Sequence, residues 1–159
     1  MLARSGPLAI LALLVTGIAG CFLPDPPREP APIPTETEAR ALLNAAVAAA
    51  QRGDFGALCA LGDANCPFIL DETGRDRVPP RPPVVAGTWV LPGEGESDGG
   101  LVLQVCGRDA DDRPYATEIL VFNAERRLLA ISPVYWSGMR VPTSSTVGGN
   151  DPLEFEGCP

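Results

Sequence analysis

The second half of the chain contains four short apolar segments with polar connections, and this series constrains the fold more than any other feature. Apolar residues recur there with the two-residue period of a strand, which predicts strands at 84–91, 101–107, 115–122 and 127–136. The connections are too short to hold a crossover helix, which parallel neighbours would need. The sequence therefore predicts an antiparallel meander of about four strands, each paired with the next along the chain.

A helix with one apolar face precedes these strands. Thr35 and Glu38 have the spacing of a capping box, and Gly53 can stop the helix at its C-terminus. Asp54 can then cap a second, shorter helix within residues 55–61. The apolar residues of the first helix recur at helical spacing, and they are Ala39, Leu42, Leu43, Ala46, Val47 and Ala50.

Two N-terminal helices followed by strands predict an α+β fold in which the helices pack on a curved antiparallel sheet. The intervening residues 62–83 are expected to be irregular, because two proline pairs near their end exclude a long helix there. The element order and the phrase "AAAQRGDFGALCAL" resemble the NTF2-like, or cystatin-like, superfamily, in which a long helix lies in a curved sheet. The resemblance covers residues 35–142, and this chain has one strand fewer than the full sheet of that superfamily.

The N-terminus has the features of an export signal. Arg4 is followed by the apolar run 8–15, which is shorter than the roughly 20 residues of a membrane-spanning helix. The sequence "IAGC" at 18–21 resembles the lipobox of bacterial lipoproteins, with isoleucine in place of the usual leucine. The resemblance implies that the signal peptide 1–20 is removed and that Cys21 carries a diacylglyceryl anchor with acyl chains such as palmitate. An uncleaved anchor, or an ordinary cleaved signal with a chance cysteine, is the alternative.

By the same resemblance, the chain is placed on the extracytoplasmic face of a bacterial cell membrane. Residues 21–34 are then the lipidated cysteine and a tether, because six prolines between Pro24 and Pro34 favour the extended polyproline II conformation. Such a stretch of eleven residues can hold a domain about 30 Å from the lipid. Residues 35–159 are expected to form a single α+β domain with an irregular C-terminal tail.

The charged residues exclude several classes of function. The chain has no histidine, which rules out Ser-His-Asp and Cys-His catalysis and histidine-containing metal sites. Arg4 is the only charged residue before Cys21, so the chain from Cys21 onward carries eleven arginines and 20 acidic residues, a net charge of −9. An acidic surface repels nucleic acid and anionic headgroups. No nucleic-acid partner and no cofactor are therefore expected.

Four cysteines remain beyond the lipidation site, and an even number in an exported chain predicts disulfides. Three pairings are available, and we favour Cys59 with Cys66, across a short loop, and Cys106 with Cys158, which would join the tail to the second strand. A zinc site made of all four thiolates is the alternative. Their spacing differs from the closely paired cysteines of structural zinc sites.

Two groups of acidic residues can be assigned chemical roles. The three carboxylates of residues 109–113 can bind calcium or belong to a solvated hairpin loop, and the EF-hand pattern fails there. Asp71 and Glu72 lie near an apolar stretch, where burial could raise a carboxyl pKa and create a general base. The NTF2-like resemblance implies a different pair, in which Glu118 and Tyr135 are the residue types that match the acid and tyrosine of enzymes in that superfamily.

Adjacent aromatic residues suggest a binding surface. Tyr135 and Trp136 lie on the predicted fourth strand, where neighbouring side chains point to opposite faces, so one of them is expected to leave the core or to cover a groove. Together with Met139 they are the candidate surface for a ligand or partner. The sequence thus predicts a lipid-anchored envelope protein that binds another envelope protein or a small apolar ligand. A small carboxylate enzyme and a structural subunit of an envelope complex are the alternatives.

Overall fold

The computed structural model describes residues 31–93, 99–124, 127–141 and 155–158. The signal peptide, the lipobox and most of the tether lie outside the described residues. The described part has an α+β fold, as predicted, with a four-stranded antiparallel sheet in the order β1-β2-β3-β4. Its elements are α1 (Glu36–Gln51), α2 (Phe55–Cys59), α3 (Cys66–Thr73), a 3-10 helix (Arg75–Arg77), β1 (Val84–Leu91), β2 (Gly100–Arg108), β3 (Pro114–Ala124) and β4 (Arg127–Ile131).

Both ends of α1 follow the prediction. The backbone N–H of Thr35 donates to Glu38 Oε2 at 2.8 Å, and the N–H of Glu38 donates back to Thr35 Oγ1 at 3.3 Å, which completes the capping box. The Thr35 hydroxyl also donates to Glu38 Oε2, at 2.7 Å, and this hydrogen bond, together with the one from the backbone N–H of Thr35, lowers the pKa of the Glu38 carboxyl from its ordinary value. After the helix, Gly53 adopts a φ of +70°, a conformation that glycine reaches without strain. These contacts fix the length and direction of the helix from its own sequence.

The core lies between α1 and one face of the sheet, here called the inner face. Leu42, Leu43 and Val47 of the helix belong to the same buried cluster as Leu103 and Ile119 of β2 and β3. In the antiparallel register Leu103 lies opposite Ile119, and their neighbours Val102 and Leu120 point to the other, outer face. Removing this apolar surface from water is the main stabilisation available to a domain of this size.

The outer face has a smaller apolar cluster of its own. Val102, Leu120 and Val141 are buried there, and Trp89 of β1 and Ile131 of β4 pack partly against them. Further apolar side chains of the outer face are half-buried, so this face is only partly covered within the described residues. The sheet therefore has its main core on the inner face, over β2, β3 and β4, and a second, thinner apolar layer on the outer face.

The fourth strand ends earlier than predicted, and the prediction of a strand through residue 136 is wrong beyond Ile131. Ser132 has a φ of +56°, which turns the chain out of the sheet. The chain comes back alongside β3, where the N–H of Glu118 donates to the carbonyl of Met139 at 2.8 Å and the N–H of Gly138 donates to Thr117 Oγ1 at 3.0 Å. The returning segment thus covers the part of the β3 edge that β4 leaves open.

The expectation of irregular structure after α2 is wrong for residues 66–73, which form α3. Pro67 lies in the first turn of this helix, where its missing N–H costs nothing, and Gly74 ends it with a φ of +98°. The prolines at 79–80 and 82–83 exclude only a helix that would extend across them. None of the helices in the described ranges is long and apolar enough to cross a membrane.

Candidate functional site

The predicted surface of Tyr135, Trp136 and Met139 is not a surface. Tyr135 is 0% exposed and Trp136 is 2% exposed, so the prediction that one of them leaves the core is wrong. Because the chain has already left the strand at Ser132, side-chain alternation no longer applies to this segment. The rings of Tyr135 and Trp136 meet edge to face at 4.9 Å, and Met139 packs partly against the same core. The three residues stabilise the domain rather than offering an exposed aromatic patch.

Both tyrosines of the chain have buried hydroxyls. Among the described residues, neither Tyr115 Oη nor Tyr135 Oη has a hydrogen-bond partner. Burial raises the pKa of Tyr135 to about 12, and burial, together with the nearby Tyr135 and Asp109, also raises the pKa of Tyr115. The Tyr115 hydroxyl lies so close to Gly107 that a Cβ on this residue would be 2.8 Å from it. Glycine at position 107 is therefore what allows the tyrosine ring to cross β2.

The acid–tyrosine pair that the superfamily resemblance implies is not brought together. Glu118 points to the outer face, where its carboxylate accepts hydrogen bonds from Gln104 Nε2 and from the N–H of Val141, both at 3.1 Å. Tyr135 is buried in the inner-face core. The sheet itself separates the two groups. Asp71, the other candidate base, is exposed and forms an ion pair with Arg75 at 2.9 Å.

Sequence reasoning missed an ion pair between the loop that joins β2 to β3 and the 3-10 helix, in which only the carboxylate is buried. Asp109 is only 3% exposed, and its carboxylate accepts from the backbone N–H groups of Asp111 at 3.0 Å and Arg113 at 2.9 Å and from Arg77 Nε at 2.9 Å. Burial alone would raise the pKa of Asp109, but these donors together hold it below its ordinary value. Asp109 therefore joins the 3-10 helix to the hairpin as a charged structural residue.

The prediction of a solvated loop holds for Asp111 and Asp112, which are exposed, and is wrong for Asp109. Because N–H donors occupy the carboxylate oxygens of Asp109, the loop does not present three free carboxylates to calcium. Within the described ranges no group of three or more Cys, Asp and Glu side chains is placed to hold a metal ion. Asp109 accepts from the backbone N–H groups two and four residues further along the chain, and such contacts are common for aspartate in turns. Its arginine partner lies 32 residues away, so no local sequence pattern could have predicted the ion pair.

The four cysteines are paired as predicted. Cys59 at the end of α2 is bonded to Cys66 at the start of α3, with Cα atoms 5.3 Å apart. Cys106 of β2 is bonded to Cys158, with Cα atoms 5.9 Å apart. The first bridge sets the angle between two short helices, and the second ties the C-terminal residues to the centre of the sheet.

An open groove of about 620 Å³ lies at the C-terminal end of α1, and sequence reasoning missed it. The guanidinium of Arg75 lies 5.5 Å above the centre of the Phe55 ring, so a cation is held in place at the groove by an aromatic face. The signal in the sequence was the cluster of arginines and prolines at 75–83, which suggested only irregular structure. The lining residues are Ala50, Gln51, Gly53, Phe55, Arg75, Val78, Pro79 and Pro80.

Comparison of the chain with protein-family models, with curated proteins and with solved structures gives no match.

Proposed function

We propose that the chain is an exported lipoprotein of the bacterial cell envelope, anchored by lipid on Cys21, whose domain acts by binding. The observation that carries this proposal is the sequence from Ile18 to Cys21, which resembles a lipobox. The cysteine count supports it, because the other four cysteines are used in two disulfides and only Cys21 is left for modification. Disulfides of this kind are typical of exported proteins and rare in the cytosol.

Lipid, rather than charge, supplies the attachment in this proposal. A net charge of −9 beyond the signal opposes contact with anionic headgroups. Two acyl chains on one cysteine meet the requirement that stable anchoring takes two hydrophobic signals. We also propose, from the order of its elements, that the domain belongs to the NTF2-like superfamily.

The groove at the end of α1 is the proposed binding site. Asn123 Nδ2 donates to the carbonyl of Pro32 at 2.7 Å, so the tether joins the domain near the N-terminal end of α1. The helix has 16 residues, which places the groove about 24 Å from that end. In this proposal the groove lies at the end of α1 opposite the tether. Its lining is about equally polar and apolar and includes Arg75, which suits a segment of an envelope protein or a small ligand that has both apolar and polar groups.

Lipid anchoring is tested by Cys21→Ser. We expect the variant to lose labelled palmitate, because the thiol that would accept the lipid is gone, and we expect copies freed of residues 1–20 to lose membrane association with it. The matched control is Ile18→Leu, which introduces the residue most common in lipoboxes and is expected to keep both. Full membrane association, after an alkaline wash, of Cys21→Ser copies from which residues 1–20 have been removed would overturn the anchoring proposal.

The groove is tested by affinity capture from native membranes with the tagged, full-length protein. Arg75→Glu reverses the charge at the groove and is expected to abolish capture of the wild-type partner. Arg40→Glu is the matched control. Arg40 forms an exposed i,i+4 ion pair with Glu36, as Arg75 does with Asp71, but it lies near the N-terminal end of α1, away from the groove. Equal capture of that partner by both variants would contradict the groove as binding site.

A further inference from the structure

The first strand has one edge that pairs with no other segment among the described residues. Among the described residues β1 pairs only with β2, and its other side has no backbone hydrogen bonds to any neighbouring segment. The edge of β4, in contrast, is partly closed by residues 61–63, since the N–H of Ala130 donates to the carbonyl of Leu61 at 2.9 Å. An unpaired strand edge presents a row of N–H and C=O groups that can bind another strand.

Features that normally prevent an edge strand from pairing with another chain are scarce in β1. Natural edge strands carry charged side chains, internal prolines or bulges, but no charged residue occurs anywhere from Pro82 to Gly93. A single bulge lies between Val85 and Gly87, and it leaves residues 87–91 as a regular strand of five residues. Thr88 is exposed and Val90 is 51% exposed. The regular part of β1 is thus open, apolar and uncharged.

We propose that β1 pairs in antiparallel orientation with β1 of a second copy of this chain. Two copies with a net charge of −9 each repel one another over most of their surfaces, and β1 is a surface where they can meet without like charges in contact. The inference rests on the proposed lipid anchor in one respect. Anchored copies share one membrane, which raises their local concentration.

The alternation of side chains selects one register. Strands that pair in one continuous sheet must match inner face with inner face, and the longest such overlap uses all five residues 87–91. In this register Trp89 lies opposite its own counterpart, and Thr88 lies opposite Val90 of the other copy. Gly87 lies opposite Leu91 of the other copy, and because glycine has no side chain, the leucine side chain can cover its backbone. Aromatic pairs directly across two strands stabilise a sheet.

The size of the contact predicts where the dimer forms. Five residue pairs bury less surface than the 1,200–2,000 Å² or so of a stable protein interface. Dimers should therefore form on the membrane and dissociate in dilute solution. The ten residues from Cys21 to Pro30 can span at most about 35 Å, so each domain can lie up to that distance from its own anchor.

The test exploits the absence of lysine from the chain. Two full-length copies with different tags are expressed together, one with Thr88→Lys and the other with Val90→Glu. In the proposed register the introduced amine and carboxylate lie directly opposite each other, about 5 Å apart between Cβ atoms. A zero-length carbodiimide reagent applied to membranes should join them through an amide bond, which peptide mass spectrometry locates between residues 88 and 90.

The matched control pairs Thr88→Lys with Asn44→Glu, since Asn44 is exposed on α1, away from the edge. We expect at least a tenfold higher yield of cross-linked dimer from the first pair. Equal yields, or a cross-link from residue 88 to a different envelope protein, would overturn self-pairing. Membrane association is measured on the same samples. A missing cross-link between copies that remain membrane-bound therefore overturns the pairing alone, and loss of membrane association reports on the anchor instead.

Discussion

At the scale of single residues, the most unusual feature is the burial of both tyrosine hydroxyls without a described partner. An unsatisfied buried hydroxyl costs about 1–3 kcal/mol. The rings offset part of this cost, because Tyr135 contacts Trp136 edge to face and lies 6.4 Å from Tyr115 between ring centres. The hydroxyls are therefore tolerated because the aromatic rings fill the core.

This burial predicts a response to alkaline pH. The folded pKa of Tyr135 is about 12, above the value of about 10 expected in the unfolded chain, so the neutral phenol is favoured in the folded state. This contribution to stability is complete below about pH 10 and is lost as the pH rises toward 12. Since the chain has two tyrosines, both buried, the native protein should show almost no tyrosinate absorbance at about pH 11, and denaturant should release it.

Tyr135→Phe provides the control for this prediction. It should halve the tyrosinate signal of the unfolded protein and reduce the alkaline loss of stability measured by urea unfolding. Native protein that already titrates near pH 10 would show that the hydroxyls reach water. The sequence could assign these rings to the core or to a surface only by alternation, and alternation failed because one residue with positive φ, Ser132, ends the strand.

At the scale of elements, the sequence predicted the helix and strands that have long periodic patterns, and it did not predict the short helix α3. The capping box and apolar face of α1, and the order of the strands, follow from residue spacing over ten or more positions. Helix α3 has only eight residues, too few for its periodicity to stand out from the surrounding turn residues. The groove could not be predicted, because its lining comes from separate segments that only the packing of α1, α2 and residues 75–80 brings together.

The link between Asp109 and Arg77 joins two such elements and gives a testable prediction. Asp109→Asn removes a charged acceptor that is almost fully buried, so we expect a loss of about 2–3 kcal/mol in the free energy of unfolding. Asp111→Asn, in the same loop but exposed, is the control and should change it by less than about 0.5 kcal/mol. Urea unfolding at neutral pH measures both, and equal effects would contradict a structural role for Asp109.

The same pair has a defined pH dependence. The folded pKa of Asp109 is lowered, so its contribution is present above the unfolded value of about 3.9 and is lost as the pH falls through the folded pKa. The difference in stability between wild type and Asp109→Asn should therefore shrink in acid. A difference that stays constant from neutral pH to about pH 2 would show that packing, and not charge, causes the loss.

At the scale of the whole molecule, the proposed functions occupy different sides of one small domain. The tether joins near the N-terminal end of α1, the groove lies at the opposite end, and the free edge of β1 forms a third side. Partner binding in the groove and pairing through β1 therefore use separate residues. One set of variants can remove either interaction without removing the other.

The two disulfides hold this arrangement together to different degrees. Cys59 and Cys66 close a loop with a sequence separation of 7, whereas Cys106 and Cys158 close one with a separation of 52. In the chain-entropy model these loops correspond to about 2.5 and 4 kcal/mol of stabilisation, respectively. Each bridge also contains one fully buried cysteine, Cys66 or Cys106, so the cost of the cavity left by alanine is similar in both.

Paired alanine variants of each bridge therefore isolate the effect of loop length. We expect the Cys106→Ala/Cys158→Ala protein to lose about 1.5 kcal/mol more of its unfolding free energy than the Cys59→Ala/Cys66→Ala protein, as measured by urea unfolding of the oxidised chains. The longer loop restricts the unfolded chain more, so its release adds more entropy to the unfolded state. An equal or opposite order would mean that the C-terminal residues contribute little beyond the bridge, and that the angle between α2 and α3 is the stronger constraint on the fold.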